Sequence, residues 1–250
     1  MTETIALVTG GASGIGEAAA RRFAKAGWTV VIADINDERG KDVAAEIGGS
    51  YHSLDVTDDA AVAALVASLP RIDVLVNAGG VLQSPTRLMT MDLAEIDRIF
   101  GINATGTIRV CQAVGARMAA AGQGSIVNVG SLNSFVPAPH PAYALSKVAI
   151  TRITEILACE LGRSGVRVNA VAPGYTLTPA MQARIDRGER NPEAVFAKSA
   201  IPRWVLPAEV GEVIHFLASP AASAITGVML PVDCGWLAYA AYSSAAAQPN

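Results

Sequence analysis

Thr9-Gly10-Gly11-Ala12-Ser13-Gly14-Ile15-Gly16 is the stretch that decides the reading of this chain. It follows a short apolar run, Ile5-Ala6-Leu7-Val8, and opens a segment of helical pattern over 14–26. Glycines between a strand and a helix allow a tight turn. They also let a pyrophosphate approach the helix N-terminus, whose free N–H groups and dipole attract anions. A second β-branched run over 29–33 leads to Asp34, eighteen residues past Gly16. An acid at that point binds both hydroxyls of an adenosine ribose. Its carboxylate also repels a 2′-phosphate, and the nearest basic residue downstream is Arg39. Gly10, Ser13, Gly14, Ile15, Gly16 and Asp34 therefore predict a dinucleotide site that takes NAD rather than NADP.

Outward from this loop, short apolar runs alternate with longer helical patterns. The expected strands cover 5–8, 29–33, 51–54, 74–76, 126–129, 166–171 and 228–232. The expected helices cover 14–26, 38–47, 58–69, 93–120, 141–161 and 207–217. Near-continuous apolar strands are what a parallel sheet covered on both faces requires. The alternation predicts an α/β, single-domain, doubly wound Rossmann fold over 1–250, with a seven-stranded parallel sheet and helices on both faces. Gly27 suits a left-handed helix cap, Asp58 or Thr57 an N-cap, and Pro207 a first helical turn. Residues 175–204 break the rhythm with Pro179, Pro192 and the charged run 184–190, and are expected to form a substrate-binding loop or lid. The charged run itself reads as a solvated helix face. The tail 238–250 reads as frayed or docked on a neighbouring subunit.

The 250 residues are 51% apolar and 16% charged, with a net charge of −3. That supports one large core and gives no basic surplus for nucleic acid or an anionic membrane. The longest apolar stretches, such as 60–69, are too short to cross a bilayer. The N-terminus shows no charged region ahead of a cleavage site. Cys111, Cys159 and Cys234 have no metal-ligand spacing. The expectation is a cytoplasmic protein with reduced thiols and no metal.

Tyr143 and Lys147 stand four apart in Tyr-Ala-Leu-Ser-Lys and share one helix face. An ammonium there is expected to lower a phenol pKa that otherwise sits near ~10. Such a phenol exchanges a proton with an alcohol or carbonyl oxygen. Ser131, twelve positions upstream and directly after a strand, offers a hydroxyl to the same oxygen; Ser134 is the alternative. Proton transfer at an alcohol carbon is the partner of hydride transfer, which a dinucleotide carries.

These residues together resemble the short-chain dehydrogenase/reductase family over about residues 4–236. Residues 9–16 fit its T-G-x-x-x-G-I-G pattern. Asn77-Ala78-Gly79 fits its N-A-G motif, and Asp55-Val56 the pair whose carboxylate meets adenine. Asn103, Ser131, Tyr143 and Lys147 fit its catalytic residues. Pro173-Gly174-Tyr175-Thr176-Leu177-Thr178 fits the segment that lines the nicotinamide. The resemblance implies cofactor contacts at Ile35, Asp55, Val56, Asn77, Ala78, Gly79, Pro173, Gly174, Thr176 and Thr178, as well as at Tyr143 and Lys147. It implies Tyr143 as acid/base, Ser131 as the group that orients substrate, and Lys147 on the nicotinamide ribose. Asn103 would anchor a water that links Lys147 to solvent. It also implies a homotetramer paired through long helices and the last strand.

Two departures stand out. The Ser131–Tyr143 interval is one residue shorter than in many members, and Cys234 replaces a usual glycine. Asn77 and Asn103 also read as core asparagines, Thr178 as a helix cap, and His140 as an exposed loop residue. Trp204 and Trp236 read as packing or interface residues. Ser131, Asn133, Tyr143, Tyr175 and Met181, with Leu82 and Pro137, are the expected substrate contacts. The expected activity is NAD-dependent oxidation of a secondary alcohol, whether a sugar alcohol, sugar or cyclic alcohol. The alternatives are a 3-oxoacyl-carrier-protein-type ketoreductase and a non-catalytic dinucleotide sensor.

Overall fold

The computed structural model describes residues 4–242. Along the chain run β1 (Ile5–Thr9), α1 (Gly14–Lys25), β2 (Thr29–Asp34), α2 (Asp37–Ile47), β3 (Ser50–Ser53), α3 (Asp59–Ser68) and β4 (Val74–Asn77). Then come α4 (Leu93–Phe100), α5 (Gly106–Ala121), β5 (Gly124–Val129), α6 (Pro141–Leu161) and β6 (Val166–Pro173). The remainder is α7 (Pro179–Asp186), α8 (Pro192–Phe196), α9 (Pro207–Ala218), β7 (Met229–Val232) and α10 (Trp236–Tyr242).

All strand pairs are parallel, in the order β3-β2-β1-β4-β5-β6-β7. Leu7 of β1 lies opposite Val31 on one side and Leu75 on the other. The period-2 alternation of strand side chains divides the core. Ala6, Val8, Val30 and Ile32 face Ala19 and Phe23 of α1 and Ile214 and Leu217 of α9. Leu7 and Val31 face Leu65 of α3, Val110 and Met118 of α5 and Ala158 of α6. The two edge strands, β3 and β7, are only partly buried. The chain reverses its winding between β1 and β4, which opens a crevice at their C-terminal ends.

The expected boundary devices are present. Gly27 follows α1 at φ +79, and Asp58 Oδ1 accepts from the N–H groups of Ala60 (2.8 Å) and Ala61 (3.0 Å). Pro207 opens α9. Three expectations need correction. The single helix over 93–120 is broken by a π-helical turn, Gly101–Thr105, between α4 and α5. There the Thr107 hydroxyl donates to the Asn103 carbonyl at 2.8 Å, and Gly106 packs so tightly that a Cβ would lie 2.7 Å from Val56 Cγ2. The segment 175–204 is also more than a loop, since it carries α7 and α8. The third correction is at the tail, where its first residues continue α10 and 243–250 lie outside the described residues.

Candidate active site

At the switch point, Gly10 sits at φ +68 against the loop that follows β4. A Cβ on Gly10 would come 2.5 Å from Gly79 Cα, and one on Gly16 2.7 Å from the Gly10 carbonyl carbon. Glycine at both positions keeps this cradle open and shallow. Gly14, at φ +56, faces the Thr178 side chain across it. Ser13 makes no capping hydrogen bond, which leaves the first-turn N–H groups of α1 to an incoming anion. These features fit a pyrophosphate.

Asp34 stands at the tip of β2. Its Oδ2 accepts from Ala12 N and its Oδ1 from Asn36 N, both at 3.0 Å, which fixes the carboxylate beside the glycine loop. Ile35, next to it, is an apolar side chain left 74% exposed, as suits a surface that a flat ring covers. Arg39 donates to Glu17 at 2.7 Å, so the nearest downstream cation already has an acid. Asp55 Oδ1 accepts from the Thr57 N–H and hydroxyl, each at 2.8 Å, and these bonds hold its carboxyl below the usual range.

Asn77 has its side chain in the core. Its Nδ2 donates to Asn128 Oδ1 at 2.9 Å, and Asn128 Nδ2 donates to Thr154 Oγ1 at 3.0 Å. This buried polar chain ties β4, β5 and α6 together. Any cofactor contact at Asn77 is left to its backbone. Ala78 N donates to the Thr9 carbonyl at 3.0 Å, which sets Ala78 and Gly79 against the glycine loop. Thr176 is buried, with its hydroxyl on the Gly174 carbonyl at 3.1 Å. Thr178 Oγ1 caps α7 through Met181 N at 3.2 Å.

The start of α6 gathers the residues expected to act in acid/base chemistry. The Lys147 ammonium is buried, donates to the Val129 carbonyl at 2.8 Å, and lies 5.7 Å from the centre of the Tyr143 ring. Ser131 is the side chain that pulls the Tyr143 phenol toward ionisation. Ser134 instead donates to the Lys147 carbonyl at 2.6 Å, so Ser131 is the serine on the phenol. Burial pushes Lys147 down to about 8. The Tyr143 phenol is raised, not lowered as the sequence led us to expect. Its burial dominates, while Ser131 and the Arg184 charge pull it back. Lys147 sits over the ring face and is itself desolvated, so the lowering comes from Ser131 and Arg184.

Asn103, buried in the π-helical turn, accepts from Val81 N at 2.8 Å and donates to Val81 O and Ser146 Oγ, each at 3.1 Å. Ser146 in turn donates to the Tyr143 carbonyl at 2.7 Å. Gly80 separates the two groups expected to share a proton path: a Cβ there would lie 3.0 Å from Asn103 Oδ1 and 3.8 Å from Lys147 Nζ.

Sequence reasoning missed Gln83. It is buried, its Oε1 accepts from Tyr143 N at 3.1 Å, and its carbonyl accepts from Arg184 Nη2 at 2.9 Å. It thus caps α6, which has no side-chain cap of its own, and ties that helix to α7. Nothing in a lone loop glutamine signals this. His140 is buried rather than exposed, beside Gln83 and Ser84. That burial, aided by Arg184 and Arg190, pushes its imidazole below the ordinary range. Tyr175 lies in an aromatic cluster, 5.9 Å from Trp236 and 6.4 Å from Trp204, which bears out packing for both tryptophans. Met181 is half-buried on α7, and Asn133 donates its N–H to Ser131 Oγ at 3.2 Å.

A family model described as Enoyl-(Acyl carrier protein) reductase matches residues 10–237. A D-threitol dehydrogenase from Mycolicibacterium smegmatis is 38% identical over 93% of this chain and 92% of its own length. A cis-4-hydroxycyclohexanecarboxylate dehydrogenase from Sinomonas cyclohexanicum is 40% identical over 94% and 97%. A solved structure titled short chain dehydrogenase/reductase family protein superposes with a TM-score of 0.86 at 36% identity, covering 94% of this chain and 97% of that one.

Proposed function

The chain belongs to the short-chain dehydrogenase/reductase family, and from that premise we propose that it is an NAD-dependent dehydrogenase of secondary alcohols with Tyr143 as its acid/base. It is an oxidoreductase acting on alcohols or ketones with a nicotinamide cofactor. The observation that carries the finer reading is the buried Lys147 ammonium, 5.7 Å from the centre of the Tyr143 ring, with Ser131 acting on the phenol. In oxidation Tyr143 Oη takes the proton of the substrate hydroxyl, and in reduction it returns it. Ser131 Oγ holds the same oxygen. Bound nicotinamide supplies the hydride acceptor or donor. Lys147, which burial pushes down to about 8, holds the nicotinamide ribose and passes the proton outward beside Asn103. Asn133, Tyr175 and Met181 line the substrate side.

Asp34 supports NAD, because a 2′-phosphate would meet its carboxylate. Threitol and 4-hydroxycyclohexanecarboxylate, the compounds named for two relatives, each offer a secondary alcohol and head the panel to assay. With any accepted alcohol, kcat/KM is expected to be about 100-fold higher with NAD than with NADP. Equal rates would remove Asp34 from its role, and reduction of neither cofactor by any alcohol would leave a dinucleotide sensor.

A homotetramer is part of the same proposal. Leu145, Val148 and Ile156 form an exposed apolar stripe along one side of α6, and Leu230 is exposed on edge strand β7. Light scattering is expected to give four chains per particle; a monomer would contradict this assembly.

A further inference from the structure

Four arginines among the described residues are half-buried without a carboxylate partner: Arg117, Arg167, Arg184 and Arg190. Two of them are saturated by backbone. Arg117 donates to the carbonyls of Val66, Leu69 and Pro70, and Arg167 to those of Leu217, Ala218, Ser219 and Ile225. The other two are not. Arg184 has one bond, to the Gln83 carbonyl. Arg190 rests on the face of the Tyr175 ring, 5.3 Å from its centre, with a buried Nε that has no partner. A half-buried guanidinium without an acid is costly unless an anion joins it.

Both arginines lie within electrostatic reach of the start of α6. Arg184 is linked through Gln83 to the backbone of Tyr143, and both charges bear on His140 at the start of α6. Beside Arg190 lies a cavity of about 180 Å³, which Tyr175, Lys198 and Trp236 also line. Trp236 Nε1 is a second buried donor without a partner. The one acid on its wall, Glu189, is already taken by Arg187 at 2.5 Å. The cavity therefore has two N–H donors without partners buried in its wall and more positive than negative charge around it. Asp186, Arg187 and Glu189 are exposed, as expected of a solvated face over 184–190, while Arg184 and Arg190 are not.

We propose that the alcohol substrate carries a carboxylate, seated in this cavity on Arg190 and Trp236 Nε1, with Arg184 adding its charge on the Tyr143 side. The inference rests on the reading of Tyr143 as the site of alcohol oxidation, and it narrows the substrate to hydroxy acids.

Binding separates the two ideas, because it needs no turnover. Cyclohexanecarboxylate and cyclohexanecarboxamide both lack the hydroxyl. Titrated calorimetrically into the NAD-loaded protein, the acid is expected to bind about 30-fold tighter than the amide. Arg190→Gln and Arg184→Gln each reduce that ratio at least about tenfold, whereas Arg163→Gln, in the exposed turn after α6, leaves it unchanged. Equal binding of acid and amide to the unsubstituted protein overturns the proposal without recourse to any variant. A phosphate monoester that binds while the acid does no better than the amide overturns the carboxylate assignment. If the acid is preferred but no hydroxy acid is oxidised, the anion site stands and the dehydrogenase reading fails. If alcohols are oxidised but acid and amide bind alike, the reverse holds.

Discussion

Replacing Tyr143 with Phe is expected to lower kcat about 1,000-fold while NAD affinity stays within about twofold. The change removes one hydroxyl and keeps the ring that lies 5.7 Å from the Lys147 ammonium. The packing at the start of α6, where Gln83 caps Tyr143 N, does not involve the hydroxyl. What is lost is the phenol, the group placed beside Lys147 to accept and return a proton at the substrate oxygen. Ser131 alone is a poor base, and its Oγ already accepts from Asn133 N. Because burial raises the phenol, alcohol oxidation in the unsubstituted enzyme is expected to speed up toward alkaline pH. The variant is expected to lose that dependence together with its rate. Steady-state rates and a fluorescence titration of NAD check the two halves separately. Near-normal turnover would remove Tyr143 from the chemistry.

Lys147→Met is expected to abolish turnover and, at pH 7, to raise the melting temperature. Burial pushes Lys147 from an ordinary 10.5 down to about 8. Below pH 8 both the folded and the unfolded chain carry its proton, so the folded state bears the whole cost of the buried charge, about 3 kcal/mol. Between pH 8 and 10.5 the folded chain has released the proton while the unfolded chain keeps it. Stability from this group therefore rises with pH across that window. Methionine fills similar space without charge but leaves the Val129 carbonyl without its donor, which costs about 1–2 kcal/mol. The net gain at pH 7 is about 1–2 kcal/mol, or a few degrees for a chain of this size. The gap is expected to close, and then reverse, by about pH 10. Thermal melts of both proteins at pH 7 and 10 measure it. A gap that does not move with pH would mean that burial of this charge is not the cause. Keeping a destabilising lysine here is the usual pattern of a site that trades stability for activity.

The parts of the fold legible in the sequence are those set by local pattern. Ile5-Ala6-Leu7-Val8 and the other central strands are apolar on both faces because helices cover both. Thr9–Gly16 is legible because Gly10 and Gly16 answer to backbone neighbours that no side chain could share. Asp34 and the Tyr143/Lys147 spacing are readable because each depends on distance along one or two elements. What stayed hidden depends on contacts between distant segments. The π-helical turn at Asn103 inserts a widened turn between two helices whose periodicity looks continuous. Gln83 caps a helix that begins 58 positions later. Arg184, Arg187 and Arg190 look alike in sequence, and only the packing of α7 and α8 against Tyr175 and Gln83 distinguishes them. The direction of the Tyr143 shift was misjudged for the same reason: spacing reports the neighbour at i+4 but not the loss of water.

The central claim is that this chain moves a hydride from a secondary carbinol while Tyr143 moves the proton. It is tested most directly with an accepted alcohol deuterated at the carbinol carbon. After turnover with NAD in ordinary water, mass spectrometry of the reduced cofactor is expected to find one deuterium per molecule, and none released to solvent. Reduced cofactor without deuterium, or label found in water, would contradict direct transfer and with it the account of the site.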